Sequence, residues 1–187
     1  MNISKTVKRA ISVMAVLVCM FSLAACGNMG EKTENLEFPK FKGTDFEGNA
    51  VDETIFSENK VTVVNFWFNE CSACVDEMKE LDKLNQELKE KGGEVVGINV
   101  DAFSDKEKLE NAKKLLKEQD ATFRNILISE GEDAKEYISN IIAFPTTILI
   151  DAKGNIIGTP IQGNIDHEKN RKKIEDAVDE ICRKEAE

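Results

Sequence analysis

Histidine is nearly absent from this chain: its 187 residues include one, His167. That argues against a His-rich metal site. Basic residues are also scarce, 25 Lys and Arg against 35 Asp and Glu, for a net charge of −10. A field of that sign repels a phosphate backbone, so no nucleic acid partner is expected. No internal repeat is visible, and the length leaves room for one ordinary domain rather than two. With 41% hydrophobic and 32% charged residues, the composition fits a globular domain and excludes both disorder and a multi-span membrane protein. Five cysteines are present, Cys19, Cys26, Cys71, Cys74 and Cys182, an odd number at uneven spacing.

The amino terminus reads as an address. Lys5, Lys8 and Arg9 precede a stretch without charge from Ala10 to Gly30. Its apolar part, Ala10 to Leu23, suits a signal-peptide core better than a membrane span of about 20 residues. Leu23-Ala24-Ala25-Cys26 follows. It resembles the bacterial lipobox, in which the Cys is lipidated and the bond before it is cut. An uncleaved anchor helix along a tilted path is the alternative. Both place the domain outside the cytoplasmic membrane. The expected division is a signal peptide over 1–25, a lipidated tether over 26–40 and a folded domain over 41–187. Removing 1–25 takes away Lys5, Lys8, Arg9 and no acidic residue, so −10 becomes −13. Cys19 leaves with the signal. Gly27 to Glu37 is polar and without periodicity, and reads as a leash.

Periodicity organises the rest. Gly43 to Asn49 carries turn residues of a hairpin-like stretch. Val61 to Phe68 is nearly all apolar, as in a strand buried on both faces. Cys74, Met78, Leu81, Leu84 and Leu88 then lie on one helix face, ended by Gly92-Gly93. Val95 to Val100 is a second buried strand. Ser104 or Asp105 can cap a helix to about Gln119, with Leu109, Ala112, Leu115 and Leu116 inward. Phe123 to Ile128 is a short apolar stretch, and Glu132 to Ser139 a short helix. Thr146 to Ile150 is a third strand, turned by Asp151 to Asn155 into a hairpin with Ile156 onward. A helix from about Asp166 buries Ile174, Val178, Ile181 and Cys182. The sum is an α/β fold with helices on both faces of a central sheet.

Cys71-Ser72-Ala73-Cys74 sits where the buried strand meets the helix. Unpaired N–H groups and the helix dipole favour a thiolate at Cys71, and a lower thiol pKa raises its nucleophilic fraction. Cys74 lies on the inward stripe. Cys71 is therefore expected to attack a substrate disulfide and Cys74 to resolve the mixed disulfide. The other readings of the pair are a static structural disulfide and half of a zinc site. For zinc, only Cys182 and His167 remain as further ligands.

From about Phe41 to Val178 the chain resembles the extracytoplasmic thioredoxin-like TlpA/ResA family of thiol–disulfide oxidoreductases. The matching stretches are Val63-Val64-Asn65-Phe66-Trp67 leading to the Cys pair, the strand around Val95 to Val100, and Phe144-Pro145-Thr146-Thr147-Ile148-Leu149-Ile150-Asp151 with Gly154 after it. The resemblance implies a thioredoxin-like fold with a mixed central sheet. It also implies that Pro145 is cis and faces the Cys pair, so that Phe144 can pair in extended fashion with a bound polypeptide. Trp67, Phe144 and Pro145 are the expected substrate-binding residues. The family carries a carboxylate three residues after the second Cys, here Glu77. Glu77 also continues the apolar stripe of Leu81, Leu84 and Leu88, which predicts partial desolvation, a raised pKa and proton exchange with Cys74. The alternative is a solvated Glu favourable to the helix dipole. Cytoplasmic thioredoxins place an Asp where this chain has Asn65.

Two positions depart from the pattern. Glu70, before the first Cys, replaces an aromatic residue and should hold the Cys71 pKa nearer its free value. The dipeptide inside the pair is Ser-Ala, without Pro. The resemblance further implies clients among exported disulfide-containing proteins, such as apocytochrome c or a methionine sulfoxide reductase. It implies a membrane thiol electron donor, attachment to the lipid bilayer through Cys26, and no cofactor beyond the Cys71–Cys74 disulfide. Two other functions stay open. A peroxiredoxin would need Pro at 64 and Thr at 68 in Pro-x-x-x-Thr-x-x-Cys, and the chain has Val64 and Phe68. A binding lipoprotein would use the Cys pair as a structural disulfide only. Cys182 is expected to be an inert core thiol.

Overall fold

The computed structural model describes residues 36–184. The expectations for the signal peptide 1–25, for Cys19 and for lipidation of Cys26 lie outside the described residues. Leu36 to Lys40 belongs to the fold rather than to the tether. The Leu36 carbonyl accepts the Ile156 N–H at 2.8 Å, Phe38 donates to the Gly154 carbonyl at 2.9 Å, and Phe38 is buried. The expected tether over 26–40 therefore overlaps the fold, because backbone hydrogen bonds tie this segment to the 151–155 turn and to Ile156 after it.

Among the described residues the strands form one mixed seven-stranded sheet. They are β1 Lys42–Asp45, β2 Ala50–Asp52, β3 Val61–Trp67, β4 Gly93–Asn99, β5 Arg124–Glu130, β6 Thr146–Asp151 and β7 Ile156–Gln162. The order across the sheet is β2-β1-β5-β4-β3-β6-β7. β3, β4 and β5 run parallel, whereas β1 and β6 pair antiparallel with β5 and β3. The helices are α1 Ser72–Asp76, α2 Met78–Lys91, α3 Lys106–Glu118, α4 Glu132–Ser139 and α5 Glu168–Lys184. A 3-10 turn spans Glu53–Glu58. The apolar stretch at Phe123 to Ile128 proves to be a full strand, β5, and the Gly43 hairpin adds β1 to the same sheet.

β3 is an interior strand between β4 and β6 with all seven residues buried, which explains its nearly unbroken apolar run. Strand alternation sorts the two faces. Val61, Val63, Trp67, Val95 and Leu149 join a core with α1, α2, α3 and α5, while Val64, Phe66, Val96, Ile98 and Ile148 join a second core. That second face is covered by α4, the 3-10 turn and an aromatic group in which Phe38 meets Phe41, Phe56, Phe66 and Tyr137. Cys74, Met78, Leu81, Leu84 and Leu88 are all buried, as their spacing predicts. The stripe is split between two helices, since Glu77 closes α1 and opens α2. Asp105, not Ser104, caps α3 by accepting from the Glu107 and Lys108 N–H groups. Cys182 is half-buried rather than in the core, its thiol 4.0 Å from the Lys91 carbonyl.

One buried polar anchor fixes α2 against the α3–β5 loop. Asp82 accepts from the Thr122 N–H at 2.6 Å, the Thr122 hydroxyl at 2.9 Å and the Phe123 N–H at 3.1 Å. An Asp82→Ala variant leaves these donors unpaired and should lose about 3 kcal/mol of stability. Asp82→Asn keeps an acceptor and should lose less. Urea unfolding of both variants checks the order, and equal losses would contradict this account.

Candidate active site

The site forms where β3 ends, and local sequence explains its start. The apolar strand runs to Trp67, Phe68 and Asn69 leave it, and Cys71 becomes the N-cap of α1. The Cys71 N–H donates to the Phe68 carbonyl at 3.1 Å, and Cys71 Sγ accepts the Cys74 N–H at 3.2 Å. Cys71 and Cys74 form a disulfide. Cys71 keeps 8% of its surface and Cys74 none, so an incoming group reaches Cys71 first. Glu70 is exposed. The Lys108 ammonium, 3.0 Å from Asp101, is held above its ordinary pKa by Asp101 and also by Glu70. The anion beside Cys71 thus has a nearby cation.

The loop carrying Cys71 is latched from behind. Asn69 is buried; its amide donates to the Lys108 carbonyl at 2.8 Å and its oxygen accepts from Asn99 at 3.1 Å. Asn99 in turn accepts from the Asp101 and Ala102 N–H groups. Sequence reading missed this latch. Its signal was an Asn just beyond one apolar strand, Asn69, and another at the end of the next, Asn99.

Three residues after Cys74, Glu77 is fully buried. One carboxylate oxygen accepts from Asn65 Nδ2 at 2.8 Å and the other from the Ile165 N–H at 2.7 Å. Asn65 Nδ2 also reaches the Thr147 hydroxyl at 3.1 Å. Burial pushes the Glu77 carboxyl up to about 7; the bonds from Ile165 and Asn65 oppose the rise, and nearby Asp166 adds to it. The solvated alternative for Glu77 is thereby excluded. Asn65 does not titrate, but it orients the group that does. Asn65, Thr147 and Ile165 were not singled out from sequence as partners of Glu77; a lone Asn in an apolar strand was the available signal.

The Phe144–Pro145 bond is cis, as the resemblance implies. Pro145 is buried and its carbonyl accepts the Gly163 N–H at 2.8 Å. The half-buried Phe144 ring meets Phe68 edge-on at 5.2 Å. Pairing of β3 with β6, in which Phe66 faces Thr146, brings the Pro145 turn to the end of β3 that carries the Cys pair. Trp67 is a correction. It is 1% exposed and donates its indole N–H to Asn125 Oδ1 at 2.8 Å, so it offers no surface to a substrate in this form. It supports the site from beneath. Gly97 makes room for this bond, since a Cβ there would lie 2.1 Å from Asn125 Oδ1.

Among the described residues, no group of three or more His, Cys, Asp or Glu could hold a metal ion, and no helix is long and apolar enough to cross a membrane. The arrangement suits thiol chemistry: a disulfide with one reachable sulfur, a buried resolving position and a carboxyl that changes charge near neutral pH.

Comparison with known proteins agrees. A model of the AhpC/TSA family matches residues 35–158. Thiol-disulfide oxidoreductase ResA of Bacillus thuringiensis subsp. konkukian is 31% identical over 147 residues, 72% of this chain and 80% of the relative. The thioredoxin domain of a thiol-disulfide oxidoreductase from Bacteroides vulgatus superposes with a TM-score of 0.58 at 26% identity, covering 77% of this chain and 96% of that one. A thiol:disulfide interchange protein from Bacteroides sp. gives a TM-score of 0.59 at 27% identity, over 78% and 90% of the two chains. The fold is thioredoxin-like, and the chain belongs to the AhpC/TSA family as a thiol–disulfide oxidoreductase of the ResA type, with Cys71 and Cys74 as its Cys-x-x-Cys.

Proposed function

We propose that the protein is held outside the cytoplasmic membrane by a lipid on Cys26 and reduces disulfides in exported proteins. The observation that carries the redox half is the unequal exposure of Cys71 and Cys74, with Glu77 buried three residues further on. The reduced Cys71 thiolate attacks one sulfur of a client disulfide. A mixed disulfide forms and the client's other sulfur leaves as a thiolate. The Cys74 thiol gives up its proton and attacks Cys71 Sγ. The client's second thiolate is released, and the Cys71–Cys74 disulfide forms. Glu77, titrating about 7, takes the Cys74 proton in this step and returns one when a membrane thiol donor reduces the pair again. Phe144 and Pro145 hold the client chain beside Cys71. No cofactor beyond the Cys pair is required.

What supports the anchoring half is the order of basic residues, apolar core and Leu23-Ala24-Ala25-Cys26 in one register. The reading of clients such as apocytochrome c or a methionine sulfoxide reductase rests on family resemblance. A peroxidase reading lacks its motif at Val64 and Phe68.

One experiment tests both halves. Cys74→Ser, expressed in bacterial cells, should capture exported proteins on Cys71 in the membrane fraction. Adding Cys26→Ser should move the captured complexes to the soluble fraction. Capture of cytoplasmic proteins alone would contradict the client reading, and an unchanged membrane location would contradict the lipid anchor.

A further inference from the structure

Asn69 and Lys108 take no part in the thiol exchange described above, yet they meet beside Cys71. Asn69 stands two residues before Cys71 and is buried. Its amide donates to the Lys108 carbonyl at 2.8 Å, and its oxygen accepts from Asn99 Nδ2 at 3.1 Å. The Asn99 oxygen in turn holds the Asp101 and Ala102 N–H groups. One side chain thus joins the Cys71 loop, the end of β4 and the first turn of α3.

Lys108 is an unfavourable residue for that turn. α3 begins at Lys106, and a cation in the first turn of a helix opposes the helix dipole. The charge acts outside the helix instead. Lys108 Nζ lies 3.0 Å from Asp101 Oδ2, and Glu70 and Asp105 also attract it. Asp101 Oδ1 is buried with no hydrogen-bond partner among the described residues, so Lys108 is the group that answers this carboxylate.

The charges around Cys71 explain why a cation matters here. Glu70 is the preceding residue of the loop, Asp101 comes from the segment after β4, and Asp105 and Lys108 come from α3. Asp76 ends α1, and Glu77 follows it with Asp166 nearby. The Phe144–Pro145 segment brings no charge. A thiolate at Cys71 is therefore surrounded mainly by carboxyl groups, which disfavour it. Its own helix gives limited help, because α1 is five residues long and aligns few peptide dipoles. The Cys74 N–H, 3.2 Å from Cys71 Sγ, and the Lys108 ammonium are the groups that work in the other direction.

We propose that Asn69 is a positioning residue for the exchange reaction: by fastening the first turn of α3 to the Cys71 loop, it holds the Lys108 ammonium beside Glu70, and reduced Cys71 then carries negative charge more readily. This deepens the reading that the Cys71 thiolate is the nucleophile, and rests on it.

The test follows alkylation of Cys71 by iodoacetamide in the reduced full-length protein, from about pH 5 to 10. Mass spectrometry of the peptide that carries Cys71 separates it from the other thiols. Lys108→Met and Asn69→Ala should each raise the pH midpoint of alkylation by about half a unit or more, and Glu70→Gln should lower it. Lys108→Arg keeps the charge and should keep the midpoint. Asn69→Ala combined with Lys108→Met should go no higher than Lys108→Met alone, because Asn69 acts through that charge. The differences should shrink in about 1 M salt. Where Asn69→Ala does not fold, Asn69→Ser is measured in its place; the Lys108 side chain is 41% exposed, so its variants spare the fold. An unchanged midpoint in Lys108→Met, additive shifts in the double variant, or an Asn69 variant with a lower Tm and the wild-type midpoint overturns the proposal. No client disulfide enters the measurement, so its outcome is separate from whether exported proteins are reduced.

Discussion

A Cys71→Ser substitution is expected to bring insulin reduction down to the rate of dithiothreitol alone. Cys71 is the reachable sulfur, and its thiolate is the nucleophile that starts the exchange. A serine hydroxyl at the same cap position still accepts the Cys74 N–H, so the local geometry survives. It is not ionised near neutral pH and cannot form a mixed disulfide. Cys74 cannot substitute, because its side chain has no exposed surface. Loss of fold does not explain the effect. The Cys71–Cys74 bond closes a very short loop, and loop-closure entropy credits it with only about 2 kcal/mol. The variant should therefore keep the circular dichroism spectrum of the wild type, and the reduced wild type should keep the same fold with a lower Tm. Equal insulin reduction by variant and wild type would favour a binding protein with a structural disulfide.

Glu77→Gln should change how both stability and rate depend on pH. Folded, the carboxyl titrates about 7, against an ordinary value of 4.5. The native state thus holds this proton more tightly than the unfolded chain. Its contribution is fully present below 4.5 and is lost as pH rises through 7, a change of about 3 kcal/mol. Gln cannot titrate, so the difference in unfolding free energy between wild type and variant should slope across that window and level off on either side. Gln keeps an oxygen for one of the Asn65 and Ile165 donors and turns an NH2 toward the other. This shifts the whole curve by about 1–3 kcal/mol but does not restore the slope. Glu94, also raised by burial, is common to both proteins and cancels in the difference. The rate profile gives the functional half. An inflection of kcat/KM near pH 7 in the wild type should be missing in Glu77→Gln, and a profile that does not change would remove Glu77 from proton transfer.

The route of that proton depends on residues far apart in sequence. Glu77 is placed by α2, its donors by β3 and by the segment before α5, and Ile165 is 88 residues away. Periodicity showed that Glu77 faces inward. It did not show what it meets, because nothing local to residues 77–88 specifies Asn65 or Ile165. Trp67 illustrates the opposite error. Its motif suggested a substrate contact, but strand alternation turns it into the helix-covered core, where Asn125 takes its indole N–H.

The sequence by itself determined the Cys pair at a strand–helix junction, the inward stripe of α2, the buried central strands and the hairpin that follows Pro145. These are local properties: they follow from the pleat, the 3.6-residue helical repeat and turn chemistry over ten or so residues. The tertiary structure alone decided the seven-strand order, the joining of Leu36 and Phe38 to the end of the sheet, the burial of Trp67, the half-exposure of Cys182 and the partners of Glu77. Each depends on which distant segments share a face, and that is settled by joint burial of apolar surface and by pairing of buried polar groups rather than by any short run of residues.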